Sequence, residues 1–301
     1  MIRKVMENPV FYLIILFGKL LPKGIWGDAL YLKLLYRYIM GKRLNLEHPQ
    51  TYNEKLQWLK LYDRKPEYTK MVDKHAVKEY VAERIGEKHI IPTLGVWDRF
   101  EDIDFDALPD QFVLKCTHDS GGLIICTDKA KLDIEKARKT IEHAMKREYY
   151  VNTREWPYKD VPHRIIAEKY MVDESGYELK DYKFFVFDGR VEAMFIATDR
   201  SAQTETCFDF FDREFNHLPF TNGHPNAQKQ ILRPSRFEEM IEIAEKLGEG
   251  IPHCRVDLYN ISGEIYFGEI TFFHWSGMKK FEPEEWDYKF GSWISLPDTT
   301  N

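Results

Sequence analysis

The stretch CRVDLYNISGEIYFGEITFFHWSG, residues 254–277, alternates apolar and polar positions on either side of a turn, a pattern that admits little besides a β-hairpin. Strands are read at 255–260 and 264–271, with Asn260-Ile261-Ser262-Gly263 as a type I turn closed by a left-handed Gly263. In that register Asn260 faces Glu264, Arg255 faces Glu269, and Asp257 lies on the diagonal. Strand side chains alternate, so Arg255, Asp257 and Glu269 share one face. Carboxylates about 5–8 Å apart can converge on one or two divalent cations, and a cation between them removes the repulsion that otherwise raises one pKa. Mg2+ held this way keeps positions free for phosphate oxygens. The same residues also suit a plain Arg255–Glu269 ion pair beside a solvated Asp257, and the hairpin alone leaves both readings open.

At 301 residues the chain can bury a large core, as one to three subdomains, without disulfides. Its 44% hydrophobic and 31% charged residues are those of an ordinary soluble protein. Cys116, Cys126, Cys207 and Cys254 lie far apart with no CxxC pair, so neither a zinc site nor a disulfide framework is indicated and a reducing cytosol fits best. The net charge of −6 hides an asymmetry: residues 1–43 carry eight Lys/Arg against Glu7 and Asp28, which leaves −12 on the remainder. No nucleic-acid partner is expected. Within the basic segment, VFYLIILF is too short for a membrane span, which needs about 20 apolar residues, and no small-residue cleavage site follows it. The segment either lies on an anionic membrane surface or packs on the core as a helical subdomain.

Further along, TYNEKLQWLKLYDR reads as a helix entered through Thr51 or Asn53, with Leu56, Leu59 and either Trp58 or Tyr62 inward. VDKHAVKEYVAERIG follows as a helix capped by Asp73 and stopped by Gly86, which puts Lys74 in the first turn, where a cation is unfavourable unless it serves another purpose. Asp102, Asp104 and Asp106 alternate in an acidic loop. They raise a metal-dependent glycosyltransferase reading through a DxD pair, against an ordinary surface loop anchored by Ile103, Phe105 and Leu108. FVLKCTHDSGGLIIC gives strands at 112–116 and 123–126. Between them Gly121 and Gly122, through positive φ or close approach, let 117–122 wrap amides around phosphate oxygens, with Lys115 and His118 adding charge; a flexible connection is the alternative. A helix is expected at 133–150. A buried strand then ends in Glu168-Lys169-Tyr170-Met171, and a hairpin turns at Asp188-Gly189, with Asp181 and Lys183 on one strand face. Ser235 and Glu238 read as a capping box for a helix closing at Gly248.

The order of these pieces resembles the ATP-grasp superfamily, and within it the teichuronopeptide-biosynthesis-type (TupA-like) family associated with bacterial surface polysaccharides. YNEKLQWLK, LKCTHDSGG, EKY with DYKFF, and VDLYNISGEIYFGEITF carry the likeness, which runs from about residue 51 onward. The resemblance implies an α+β fold in which two portions, with antiparallel sheets, clasp ATP. A helical N-terminal segment at 1–65 precedes a catalytic unit at 66–301, divided into a lid-like part near 98–170 and a metal-binding part near 171–301.

It further implies that Lys115 approaches the α-phosphate and that Thr117, His118, Ser120, Gly121 and Gly122 close over the β- and γ-phosphates. Lys183 adds a phosphate contact, Lys74 is counted among the ATP-binding residues, Glu168, Lys169 and Met171 border the adenine, and Asp181 lies near the ribose. Asp257 and Glu269 hold one or two Mg2+ ions, and Arg255 stabilises the transferring phosphoryl group. The family's usual Asn two residues after the metal-binding Glu is Thr271 here, a shorter ligand for a second ion. The implied activity is carboxylate–amine ligation through an acyl phosphate, joining a uronic acid in a surface polysaccharide precursor to an amino acid or small amine. The implied location is the cytoplasm, with peripheral contact at the inner membrane face for a lipid-linked acceptor. A glycosyltransferase using Asp102 and Asp104, and a catalytically silent ATP-binding protein, are the rival readings.

Overall fold

The computed structural model describes residues 8–119, 121–173, 179–198 and 206–298. Two antiparallel sheets form the frame. The smaller contains β1 (Thr93–Trp97), β2 (Phe112–Cys116), β3 (Leu123–Cys126) and β4 (Ile165–Lys169) in the order β1-β4-β2-β3. The larger contains β5 (Asp181–Phe187), β6 (Arg190–Thr198), β7 (Cys207–Asp212), β8 (His253–Ile261) and β9 (Glu264–Thr271) in the order β7-β6-β5-β8-β9.

Much of the large sheet is apolar on both faces, and helices cover those parts on both. Phe184 of β5 meets Phe237 of α8 (Phe237–Gly248), while Phe185 on the opposite face stacks edge-on against Phe290 of α9 (Glu285–Ser292). Tyr52, in the first turn of α3 (Tyr52–Tyr62), reaches into that second layer, where its hydroxyl bonds His253 Nε2 at 3.0 Å. Thr51 caps α3 through a reciprocal capping box with Glu54, and Trp58 rather than Tyr62 is the buried aromatic. The small sheet is covered on one face by α6 (Ile134–Met145), whose Ala137, Ile141 and Ala144 pack on Phe112, Leu114 and Cys116. Its other face is left open.

Four local readings are corrected. The helix expected at 133–150 is broken after Met145, and a short α7 (Tyr149–Thr153) follows. Ser235 does not cap α8: Arg236, in left-handed conformation, stands at the N-cap, and Glu238 pairs with Arg233 instead. The short α4 (Glu67–Val72) and a turn precede α5 (Val77–Ile85), so Lys74 lies before the helix. Asp73 caps that turn by accepting from the His75 and Ala76 amides at 2.8 and 3.2 Å. In the β8–β9 hairpin the loop has two residues, Ser262 (φ 53°) and Gly263 (φ 91°), with Ile261 facing Glu264.

That shorter loop moves the register by one residue, and a bulge at Gly268 moves it by one more, so Arg255 faces Thr271 and Asp257 faces Glu269. The two shifts sum to an even number, and the expected face survives. Glycine suits the bulge, because a Cβ on Gly268 would crowd the Asp257 carbonyl oxygen at 3.0 Å.

The N-terminal helices α1 (Pro9–Leu20) and α2 (Ile25–Met40) form a third core with Leu61 of α3 and with Met278. Asp28, fully buried, ties them to the rest: its carboxylate takes Arg64 at 2.7 Å, Arg154 at 3.1 Å and the Tyr150 hydroxyl at 2.6 Å. Helix α3 belongs to both cores, Leu61 to this one and Tyr52 with Leu56 to the large sheet.

Candidate active site

Between the two sheets runs a cleft of about 1340 Å³ lined by Lys115, Glu168, Lys169, Met171, Asp181 and Tyr182 among others. It continues into a smaller space of about 230 Å³ lined by Lys74, Lys78, Lys115, Lys183, Asp257 and Glu269. The roof of the cleft is apolar, with Val113, Leu123 and Ile125 from the open face of the small sheet.

Neighbouring-strand pairing brings the floor together: Lys183 of β5 faces Asp257 of β8, which faces Glu269 of β9. Arg255 Nε donates to Asp257 Oδ1 at 2.7 Å, and its Nη2 donates to Asp257 Oδ2 at 2.8 Å, to Glu269 Oε1 at 3.1 Å and to Thr271 Oγ1 at 3.1 Å. Lys183 donates to the same Asp257 carboxylate. Glu269 keeps 45% of its side chain open to the cleft. Burial works to raise its carboxyl, but Lys183, Arg255 and Lys74 together outweigh that and hold it down to about 2. It is ionised at neutral pH.

Behind the floor stands a residue the sequence reading missed. His274 accepts from Arg255 Nη1 through Nδ1 at 2.8 Å, which leaves Nε2–H to donate to Asn222 Oδ1 at 3.1 Å. Burial and the adjacent Arg255 push its pKa well below the usual value, so it is neutral and fixes the guanidinium from behind. Its position, three residues beyond Thr271 in FFHWSG, was the available signal.

On the opposite wall Lys115 pairs with Glu168 at 2.8 Å, and Lys78 of α5 completes the group at 2.5 Å. Burial works to raise the Glu168 carboxyl and the two ammonium groups lower it further than that. Lys78 also went unnoticed, although it lies four residues after Lys74, the spacing that puts helical side chains on one face. Lys74 itself donates to the Asp119 carbonyl at 2.7 Å and is drawn down by burial.

Several expected phosphate contacts do not line this space. Thr117 is fully buried, its hydroxyl donating to the Pro162 carbonyl at 2.9 Å, so it fastens the loop. His118 is buried and stacked on His163 with ring centroids 3.6 Å apart. Burial and His163 push its pKa down to about 4, so it adds no charge at neutral pH. Gly122 does not adopt positive φ. It is needed for close packing, since a Cβ there would lie 2.5 Å from Cys116 Sγ and 2.6 Å from the Ala144 methyl. It does border the smaller space. Gly121 lies under the Arg147 guanidinium, 2.0 Å from where its Cβ would be. Ser120 lies outside the described residues. Asp102 is taken by Arg99 at 2.7 Å and Asp104 by the Asp106 and Ala107 amides at 3.0 and 3.2 Å, and neither lines the cleft.

The donor set suits Mg2+. Two carboxylates and a hydroxyl are the hard oxygen ligands this ion prefers, and they are too few to enclose it, which fits a cation completed by phosphate oxygens. Among the described residues no group of three or more His, Cys, Asp or Glu side chains could hold a metal without such help.

A family model described as TupA-like ATPgrasp matches residues 54–295. Among solved structures, D-alanine–D-alanine ligase from Bacillus anthracis complexed with ATP is 15% identical (TM-score 0.40), over 67% of this chain and 53% of that one. The Helicobacter pylori D-alanine–D-alanine ligase is 16% identical (TM-score 0.41), over 75% and 61%. D-cycloserine synthetase DcsG is 14% identical (TM-score 0.41), over 74% and 69%. The chain thus spans little more than half the length of the first of these. No curated protein matches. The family model extends over most of the sequence and over both walls of the cleft, and the chain belongs to the TupA-like ATP-grasp family.

Proposed function

We propose that the protein is an ATP- and Mg2+-dependent carboxylate–amine ligase. One observation carries the reading: an ionised Glu269 and the Arg255-clamped Asp257 on one sheet face the Lys115–Glu168–Lys78 group on the other across a cleft that ends in the smaller space. The apolar roof and Met171 receive the adenine, Glu168 and Lys169 border it, and Asp181 meets the ribose. Lys115, Lys74 and Gly122 lie along the triphosphate.

Asp257 and Glu269, with Thr271 beside them, would hold one or two Mg2+ ions, which supply charge neutralisation on the γ-phosphoryl oxygens. Arg255, held rigid by Asp257 and His274, needs no reorganisation as charge develops on the phosphoryl group. Lys183 stands within reach of the same group. The carboxylate substrate accepts the γ-phosphoryl group, ADP departs, and an amine displaces phosphate from the acyl phosphate to give an amide. Closing the cleft keeps water from that intermediate.

The acceptor proposed from the family's association is a uronic acid of a surface polysaccharide or its precursor, with an amino acid or small amine as nucleophile. The reaction is placed in the cytoplasm, with the acceptor presented at the inner membrane face. The test is thermal unfolding with Mg-ATP and with UDP-glucuronate, on the native chain and on Glu269→Gln. A ligand at a hundred times its Kd adds about 2.7 kcal/mol, enough to move the midpoint by several degrees. Stabilisation by Mg-ATP that weakens in Glu269→Gln is expected. Stabilisation by the nucleotide sugar alone would overturn the reading. Trapping with hydroxylamine in the presence of candidate uronates then identifies the carboxylate.

A further inference from the structure

We propose that the outer face of α1, continued by the start of α2, docks on an anionic lipid bilayer, an inference that rests on the membrane-presented acceptor above. Helix α1 is not loose. Gly18 lies so close to Tyr31 that a Cβ there would stand 2.3 Å from the ring, and its carbonyl accepts from the buried Arg154 guanidinium. Phe11, Ile14 and Ile15 turn inward onto the third core. The helix therefore packs on the body and still leaves a second apolar face outward.

That face carries Val10, Leu13, Leu16, Phe17 and Leu20, spaced three or four apart as one helical stripe. Leu20 is 81% exposed, and Trp26 in the first turn of α2 is 71% exposed. Twelve residues make a helix about 18 Å long, and no helix among the described residues is long and apolar enough to cross a membrane. The helix can lie in the interface with its stripe inserted.

Charge identifies the partner. From residue 8 to residue 43 the exposed ionic side chains are all cations, Lys19, Lys23, Lys33, Arg37, Lys42 and Arg43, of which Lys42 is paired with Glu284, and the single carboxylate, Asp28, is buried and paired. The remainder of the chain is strongly acidic, so an anionic surface attracts this face and repels the others, which sets the orientation. A second copy of the chain seated here would bring cations against cations. The face also reaches toward the chemistry: Lys19 shares a cavity of about 590 Å³ with Asp119 and Tyr149, and the Asp119 carbonyl is the group that holds Lys74.

The experiment is flotation of the full chain with vesicles of phosphatidylcholine alone and with phosphatidylglycerol added, at about 50 mM salt, where charge attraction is little screened. Expected are flotation only with the anionic vesicles, its loss in Leu13→Glu/Leu16→Glu, and binding at least about tenfold weaker in Lys23→Glu. The thermal shift with Mg-ATP, measured in parallel, should be unchanged in both variants. It fails separately if the nucleotide reading is wrong. Absence of flotation with the anionic vesicles overturns the proposal, as does flotation undiminished by both variants. A dimer broken by Leu13→Glu/Leu16→Glu, with no flotation, would assign the face to a second copy. If the double variant does not fold, Lys23→Glu decides.

Discussion

The two walls of the cleft present similar groups, lysines and carboxylates on strands, but stand on unequal foundations. Beneath Asp257 and Glu269, strands with fully buried Phe184 and Phe185 are covered on one face by α8 and on the other by α3 and α9. Beneath Lys115 and Glu168, a four-stranded sheet is covered on one face, by α6 with Phe100, Ile103 and Leu108, and its outermost strand leaves Leu123 and Ile125 47% and 57% exposed over the cleft. Dense packing on both faces fixes side-chain positions and resists strain. A sheet packed on one face closes and opens at lower cost. On the proposed function the difference is a division of labour: the groups proposed to act on the transferring phosphoryl sit on the wall packed on both faces, and those proposed to grip the nucleotide sit on the wall packed on one.

The largest effect should come from the rigid wall. Asp257→Asn and Glu269→Gln are each expected to lower ATP turnover at least about a thousandfold, measured as ADP release with any accepted carboxylate. They separate in stability. Glu269 is half open to the cleft, where solvent screens its attraction to Lys183, Arg255 and Lys74, so its change should lower the unfolding midpoint by less than the Asp257 change. Asp257→Asn leaves the buried Arg255 without its principal counter-ion and should destabilise by about 3 kcal/mol. Unchanged turnover in either variant would break the comparison at its base.

A pH series probes the other wall. His118 has a folded pKa of about 4 against 6.5 for the free group, so between those values the unfolded chain binds a proton that the folded chain does not. Stability should therefore rise from pH 4 to pH 6.5, by about 3 kcal/mol at most, through this residue. His118→Asn should reduce the rise of the urea midpoint over that window, leaving the part that the buried His253 and His274 contribute with the same sign. An unaltered slope would show that the loop of the small sheet opens to water without unfolding.

Hydrogen exchange compares the walls directly. Amides of β2 and β3 should exchange at least about tenfold faster than those of β5 and β8, and Mg-ATP should slow the first pair and leave the second unchanged. Equal protection in both would remove the reason for assigning motion to the small sheet.

What could be read from sequence followed the same division. The large-sheet hairpin was legible because alternation of side chains depends only on parity: the loop was misjudged by one residue and the bulge by another, and the face came out right. Strands β2 and β3 were legible for the same reason. Thr117 and His118 were not, because whether a polar side chain in a loop points at a ligand or at a neighbouring carbonyl is decided by tertiary partners, Pro162 and His163, about 45 residues downstream. Lys78 and His274 were passed over because their partners, Glu168 and Arg255, come from other elements.

The smallest expected effect concerns Thr271, which stands where the resemblance to the common ATP-grasp pattern implies Asn. Its hydroxyl lies 3.1 Å from Arg255 and 3.3 Å from Glu269, so it already serves as a tie between these side chains. If that tie is its whole role, Thr271→Val removes two hydrogen bonds to charged groups; with about 1.5 kcal/mol of their positioning lost in the transition state, kcat should fall roughly tenfold with KM for ATP and the Mg2+ dependence unchanged. If the hydroxyl instead ligates a second ion, the same substitution should raise the Mg2+ concentration needed for half-maximal rate, and Thr271→Asn should lower it again. Turnover against Mg2+ concentration in the three proteins separates a rigid wall that only positions Arg255 from one that also completes a metal site.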